Sequence, residues 1–135
     1  MKAKTATFLV LLFAIILGSC EKDEGPGGTS TIAGKIWVKN YYQTSDVILA
    51  EYWAEEVDVY LIYGNDSIYS DRTRTNYDGS YWFQYLHEGT YTVFVYSDDT
   101  AKTDRSPSGR IPIMETVNIN NAGSTVIVPT MTIRD

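Results

Sequence analysis

The sequence predicts an all-β fold, a seven-stranded antiparallel β-sandwich over residues 31–135, and three observations lead there. From Thr31 onward apolar and polar residues alternate with period two, the repeat of strands that bury one face. The alternating runs are rich in Val, Ile, Tyr, Trp and Thr, residue types that suit a pleated, half-buried surface. Clusters of Gly, Asn and Asp interrupt them at short intervals, as the turns of a two-sheet sandwich do.

In order along the chain, Ile32, Gly34, Ile36 and Val38 share the inner face of a first strand, which turns Lys35 outward. Ser45 to Glu56 stays ambiguous: Ser45 or Asp46 can cap a helix, and Val47 to Ala54 suits two helical turns as readily as a strand. Val57, Val59, Leu61 and Tyr63 mark the second strand, and Ser67 to Thr73 the third. Asn76-Tyr77-Asp78-Gly79 follows, with an Asp-Gly pair that supplies the positive φ of a tight hairpin. Tyr81 and Phe83, then Tyr91, Val93 and Val95, mark two strands joined as a hairpin through Leu86-His87-Glu88-Gly89. Ser97 to Arg110 is a polar excursion with Pro107 and Gly109. Val117 and Ile119 mark the sixth strand, and residues 120–124 turn the chain into a last one over Thr125 to Ile133. Pro129 has no amide donor, so that strand belongs at an edge or carries a bulge.

The first thirty residues read differently. Lys2 and Lys4 precede twelve mostly apolar residues, Ala6 to Leu17, and Leu17-Gly18-Ser19 leads into Cys20, the only cysteine. Twelve residues span about 18 Å as a helix, short of the roughly 30 Å of a hydrocarbon core. The stretch fits a cleaved signal peptide over residues 1–19 and resembles a bacterial lipoprotein signal with its lipobox. That resemblance implies acylation of Cys20 and attachment to a membrane through an N-terminal lipid anchor. Residues 20–30 then form a flexible tether, since Glu21 to Ser30 contains Gly, Pro and charges but no large apolar residue. Lys22-Asp23-Glu24 is similar to the signal by which one phylum of gram-negative bacteria exports lipoproteins to the outer face of the outer membrane, which implies cell-surface exposure. Residues 1–19 carry two lysines and no acid, so their removal takes the net charge from −6 to −8. Such acidity argues against nucleic acid as a partner.

Asn76-Tyr77-Asp78-Gly79-Ser80-Tyr81-Trp82-Phe83, with Leu86, Gly89, Tyr91 and Val93, resembles the signature of carboxypeptidase regulatory-like domains, a prealbumin-like sandwich family. The resemblance implies Greek-key connections, no active site, and service as a structural or binding accessory of a larger envelope complex. The residue inventory agrees. His87 is the only histidine and sits in a turn, and no nucleophile stands beside it in sequence. A small hydrolase is the remote alternative, and neither cofactor nor metal is expected: Asp98, Asp99 and Asp104 share a loop but lack the alternating spacing of a calcium site.

A binding surface is the better prospect. With the inner faces assigned, Trp82, Phe94 and Tyr96 face outward on the hairpin formed by Ser80 to Tyr96, Trp82 opposite Phe94, and Tyr60 and Ile62 share that outward parity. Such an aromatic patch is either covered by the Tyr41 to Trp53 excursion or left open to a protein partner or a polysaccharide stacked on its rings. Two triplets, Asp66-Ser67-Ile68 and Asp99-Thr100-Ala101, resemble the acceptor of a bacterial O-glycosylation system, which makes Ser67 and Thr100 candidate glycan attachment sites.

Overall fold

A computed structural model of the chain describes residues 23–42, 45–99 and 108–135, and among these it is all-β. Nine strands form: β1 (Pro26–Tyr41), β2 (Ile48–Trp53), β3 (Asp58–Tyr63), β4 (Asp71–Arg74), β5 (Ser80–Leu86), β6 (Gly89–Asp98), β7 (Arg110–Ile119), β8 (Thr125–Ile127) and β9 (Met131–Arg134). Two differences take the expected seven to nine. The ambiguous segment is a strand, β2, and the last strand is split in two.

The strands make two sheets. In the first, the sixteen-residue β1 is the spine. Antiparallel β5 and β2 pair with its first and second halves, and parallel β8 and β9 line its other side. The last strand therefore runs parallel to the first, a departure from the purely antiparallel expectation. Ala33 pairs with Ile127 but Ile36 with Met131, so one extra residue lies between β8 and β9, beside Pro129. The proline sits at an edge and at a bulge together. The second sheet has the order β4-β3-β6-β7, antiparallel throughout.

Neither anticipated hairpin forms. β4 and β6 belong to the second sheet and β5 to the first, so residues 75–79 carry the chain across the sandwich and residues 87–88 carry it back. The inner residues of β5 and β6 face one another across the core rather than lying side by side. Ile32, Ile36, Val38, Tyr81, Phe83 and Leu86 from the first sheet meet Val59, Leu61, Tyr91, Val93 and Val95 from the second, all buried. Leu86 keeps its place in the core because Tyr85, at φ 61°, adds a residue to β5 relative to β1.

The expected tether is shorter than its composition implies. β1 begins at Pro26, and Ser30 is fully buried. Tyr91 Oη accepts a hydrogen bond from Gly25 N (2.9 Å) and donates one to His87 O (2.9 Å), while His87 N donates to Gly25 O (2.9 Å). Residues 24–30 are held through their backbone, which needs no apolar side chains. Cys20 lies outside the described residues.

Candidate functional site: an aromatic groove on the four-stranded sheet

The outer face of the second sheet is built by strand parity. Val59 and Leu61 point into the core, so Tyr60 and Ile62 point out; Val93 and Val95 do the same for Thr92, Phe94 and Tyr96. Register then sets Tyr60 beside Phe94, Phe94 beside Met114, and Tyr96 beside Pro112. Tyr60 and Phe94 stack with centroids 4.9 Å apart and 13° between planes, and Tyr96 meets both edge-on at 5.7 and 5.5 Å. Four of the five residues expected to form the patch are thus brought together.

The fifth is not. Trp82 lies on the outer face of the first sheet, opposite Ala33, because β5 pairs with β1 and not with β6. Trp82 is half exposed, at 49%. That face also carries Trp37 and Trp53, 4.8 Å apart edge to face, with Lys35 Nζ 4.8 Å over the Trp53 ring.

The Tyr41 to Trp53 excursion does not cover the second sheet, since β2 lies in the first. A different segment lies over part of it. After β3 the chain turns at Gly64 (φ 51°), and Ser70 pins the loop: its N–H donates to Leu61 O (2.8 Å) and its hydroxyl to Asp66 Oδ2 (2.9 Å). Tyr69 is thereby held edge-on to Tyr60 at 4.9 Å. Together with Ile68 it walls a groove of about 540 Å³ whose other lining residues are Ile62, Ser67, Phe94, Tyr96, Pro112 and Met114. Phe94 is only 7% exposed, whereas Tyr69 and Tyr96 remain 50% and 42% exposed. The floor is filled and the walls are open.

Along the same face the character changes from aromatic to hydroxylic. Thr92 and Thr116 hydroxyls lie 3.1 Å apart, and Thr90 Oγ1 donates to Asn118 Oδ1 at 2.7 Å. Ring faces beside a row of hydroxyl and amide groups can stack an amphipathic ligand and hydrogen-bond its edge. Sequence reasoning missed Tyr69, Ile68, Pro112 and Met114. Tyr69 and Ile68 stand out only as large apolar residues in a polar loop, and Pro112 and Met114 only by their outward parity on β7.

The remaining candidates fall elsewhere. Ser67 is exposed on the groove wall, so a glycan attached there would compete with any ligand for the same space. Thr100 and Asp104 lie outside the described residues. Asp98 pairs with Arg110 at 3.9 Å, and no three His, Cys, Asp or Glu among the described residues converge as a metal site.

No protein-family model matches the chain, and no curated protein matches it. Among solved structures, a "putative carbohydrate binding protein" from Pseudomonas aeruginosa is similar, with a TM-score of 0.50 and 14% identity over 80% of this chain and 90% of that one. At that identity the likeness is one of fold, a β-rich architecture. (S)-allantoin synthase aligns at a TM-score of 0.38 and 16% identity over 79% of this chain and 42% of its own, an overlap that carries no argument.

Proposed function

We propose that this chain is a non-catalytic, lipid-anchored protein of the outer-membrane surface whose carboxypeptidase regulatory-like sandwich binds carbohydrate in the groove that Tyr69 and Tyr96 flank beside Phe94. One observation carries the reading. Two half-exposed tyrosines flank a stacked aromatic floor, beside a row of threonine hydroxyls on a rigid sheet. Sugars present apolar C–H faces and hydroxyl rims, which ring faces and neighbouring hydroxyls match. The Pseudomonas "putative carbohydrate binding protein" has a similar β-rich fold, which favours this choice over a purely structural accessory. The signal-like segment and Cys20 supply the anchor.

Calorimetric titration of the intact protein against a panel of neutral and acidic polysaccharides tests the reading. Binding should weaken about tenfold in Tyr69→Ala and in Tyr96→Ala, a loss of about 1.4 kcal/mol each. Trp82→Ala, on the opposite face, should bind normally. Absence of binding across the panel, or equal binding by all three variants, rejects the groove. The mass of the mature N-terminal peptide tests the anchor separately: a bare Cys20 thiol rejects it.

A further inference from the structure

All three tryptophans of the chain stand on one surface, the outer face of the first sheet. Strand parity puts them there. Ile32, Gly34, Ile36 and Val38 turn into the core, so Ala33, Lys35, Trp37 and Lys39 turn out, and pairing sets Trp53 beside Trp37 and Trp82 beside Ala33. Ile127, on β8, flanks Ala33 from the other side and is 68% exposed. A sheet face turned to water ordinarily carries polar residues. This one carries Trp82 and Ile127 in one row and Trp37 with Trp53 in another, with Lys35 between the rows.

The charges on this face are set among the rings. Lys35 and Lys39 are the only lysines among the described residues, and both lie here. Lys35 Nζ sits over the Trp53 ring and pairs with Asp78 at 3.0 Å, while Lys39 pairs with Glu51 at 3.3 Å. Each ammonium group has its own counter-charge, so neither needs a charged partner from outside. Tryptophans interleaved with lysines are the side chains of a membrane–water interface. The rings take the boundary between headgroups and acyl chains, and the ammonium groups stay at headgroup level on their flexible stems.

Connectivity says which surface this face can meet. β1 belongs to the first sheet, and residues 24–30 are held to the domain. A lipid on Cys20 is therefore joined to that sheet by residues 20–23, at most about 14 Å of chain. The outer face of the second sheet lies farther off by a sheet spacing of roughly 10 Å and looks the other way. We infer that the outer face of the first sheet rests on the lipid bilayer, with Trp37, Trp53, Trp82 and Ile127 in its interfacial layer, and that the groove of the second sheet is thereby turned away from the membrane. The inference rests on the anchor proposed above. With so short a tether the rings need not bind lipid tightly by themselves: attachment keeps them at the surface, and their burial selects the side that faces it.

The test supplies the tether chemically. The chain from Cys20 onward, which holds every described strand, is coupled through that sole thiol to a maleimide lipid in phosphatidylcholine vesicles whose acyl chains carry bromine. Bromine quenches indole at close range only, and no tryptophan lies outside this face, so the emission reports on it alone. Relative to unbrominated vesicles it should fall by roughly half or more, as expected of rings buried about 5–10 Å into the interface. A second chain, with Trp37→Phe, Trp53→Phe and Trp82→Phe and with Tyr96→Trp as the reporter on the other sheet, should lose none. Trp82→Glu combined with Ile127→Glu, both exposed and in one row, should remove most of the quench. Unquenched emission from the parent chain, equal quenching of the two reporters, or a quench indifferent to the double glutamate change overturns the proposal. Because coupling replaces any native lipid, these results reject the face and leave the anchor standing, whereas a bare Cys20 thiol in the native peptide rejects the anchor instead.

Discussion

Gly34 faces Tyr81 across the β1–β5 ladder, and a β-carbon added at Gly34 would stand 2.4 Å from the phenol oxygen. The glycine is there for room, because the ring lies flat where a side chain would be. Gly34→Ala should destabilise the protein by about 1–3 kcal/mol, the usual range for overpacking a dense core, measured by denaturant unfolding. The Tyr81 hydroxyl is buried without a hydrogen-bond partner among the described residues, so Tyr81→Phe should leave stability unchanged or raise it. Paired with Gly34→Ala it should recover part of the loss; a double variant no better than Gly34→Ala would show that the clash lies elsewhere. At this scale the sequence is legible. Period-two alternation alone placed Ile32, Gly34, Ile36 and Val38 inward and Lys35 outward, where it pairs with Asp78. Phe94 was half legible: parity turned it outward beside Tyr96 of its own strand, but its burial also needs Tyr60, which reaches it only through pairing of strands distant in sequence.

Asp78 shows what a turn residue does for an element. Its Oδ1 accepts from both the amide (3.2 Å) and the hydroxyl (2.5 Å) of Ser80, and its Oδ2 from Lys35 Nζ (3.0 Å). The Ser80 hydroxyl first, then Lys35 and the Ser80 amide, hold its carboxyl down at about 2, below the ordinary 3.8. A depressed folded value means the stabilisation is present above about pH 4 and is lost as pH falls toward 2. Unfolding measured across that window should therefore show Asp78→Asn less stable than the parent at neutral pH and converging with it near pH 2; parallel curves would show that the turn does not depend on the charge. The Asp78-Gly79 turn chemistry was readable, and Gly79 has the positive φ expected of it. What the turn joins was not. Local residues specify that the chain reverses, whereas the choice between pairing with β4 and crossing to β1 is made by the facing core residues. β2 was unreadable for the same reason: Val47 to Ala54 has no preference of its own, and β1 supplies the ladder that makes it a strand.

The molecule as a whole is closed by ties between its sheets, and the N-terminal one bears on function. Ser97 Oγ accepts from Arg134 N (2.9 Å) at one end of the sandwich. At the other, the Tyr91 hydroxyl sits between Gly25 N and His87 O, joining the start of β1 to the β5–β6 crossing. Composition could not reveal this tie, since Gly25 takes part through its backbone and glycine-rich segments read as free linkers. If Cys20 is lipidated, the chain between anchor and domain is then residues 20–23, which reach no more than about 14 Å fully extended. Were residues 24–30 free as well, the domain could stand more than twice as far from the bilayer. Tyr91→Phe keeps the ring in the core but leaves Gly25 N and His87 O without this partner, and should cost about 1–3 kcal/mol. Amide exchange should accelerate at Gly25 and through residues 24–30 while the β3–β6 ladder stays protected. Unchanged exchange there would mean that the strand holds itself without Tyr91, and that the short reach proposed for a lipidated Cys20 rests on β1 pairing alone.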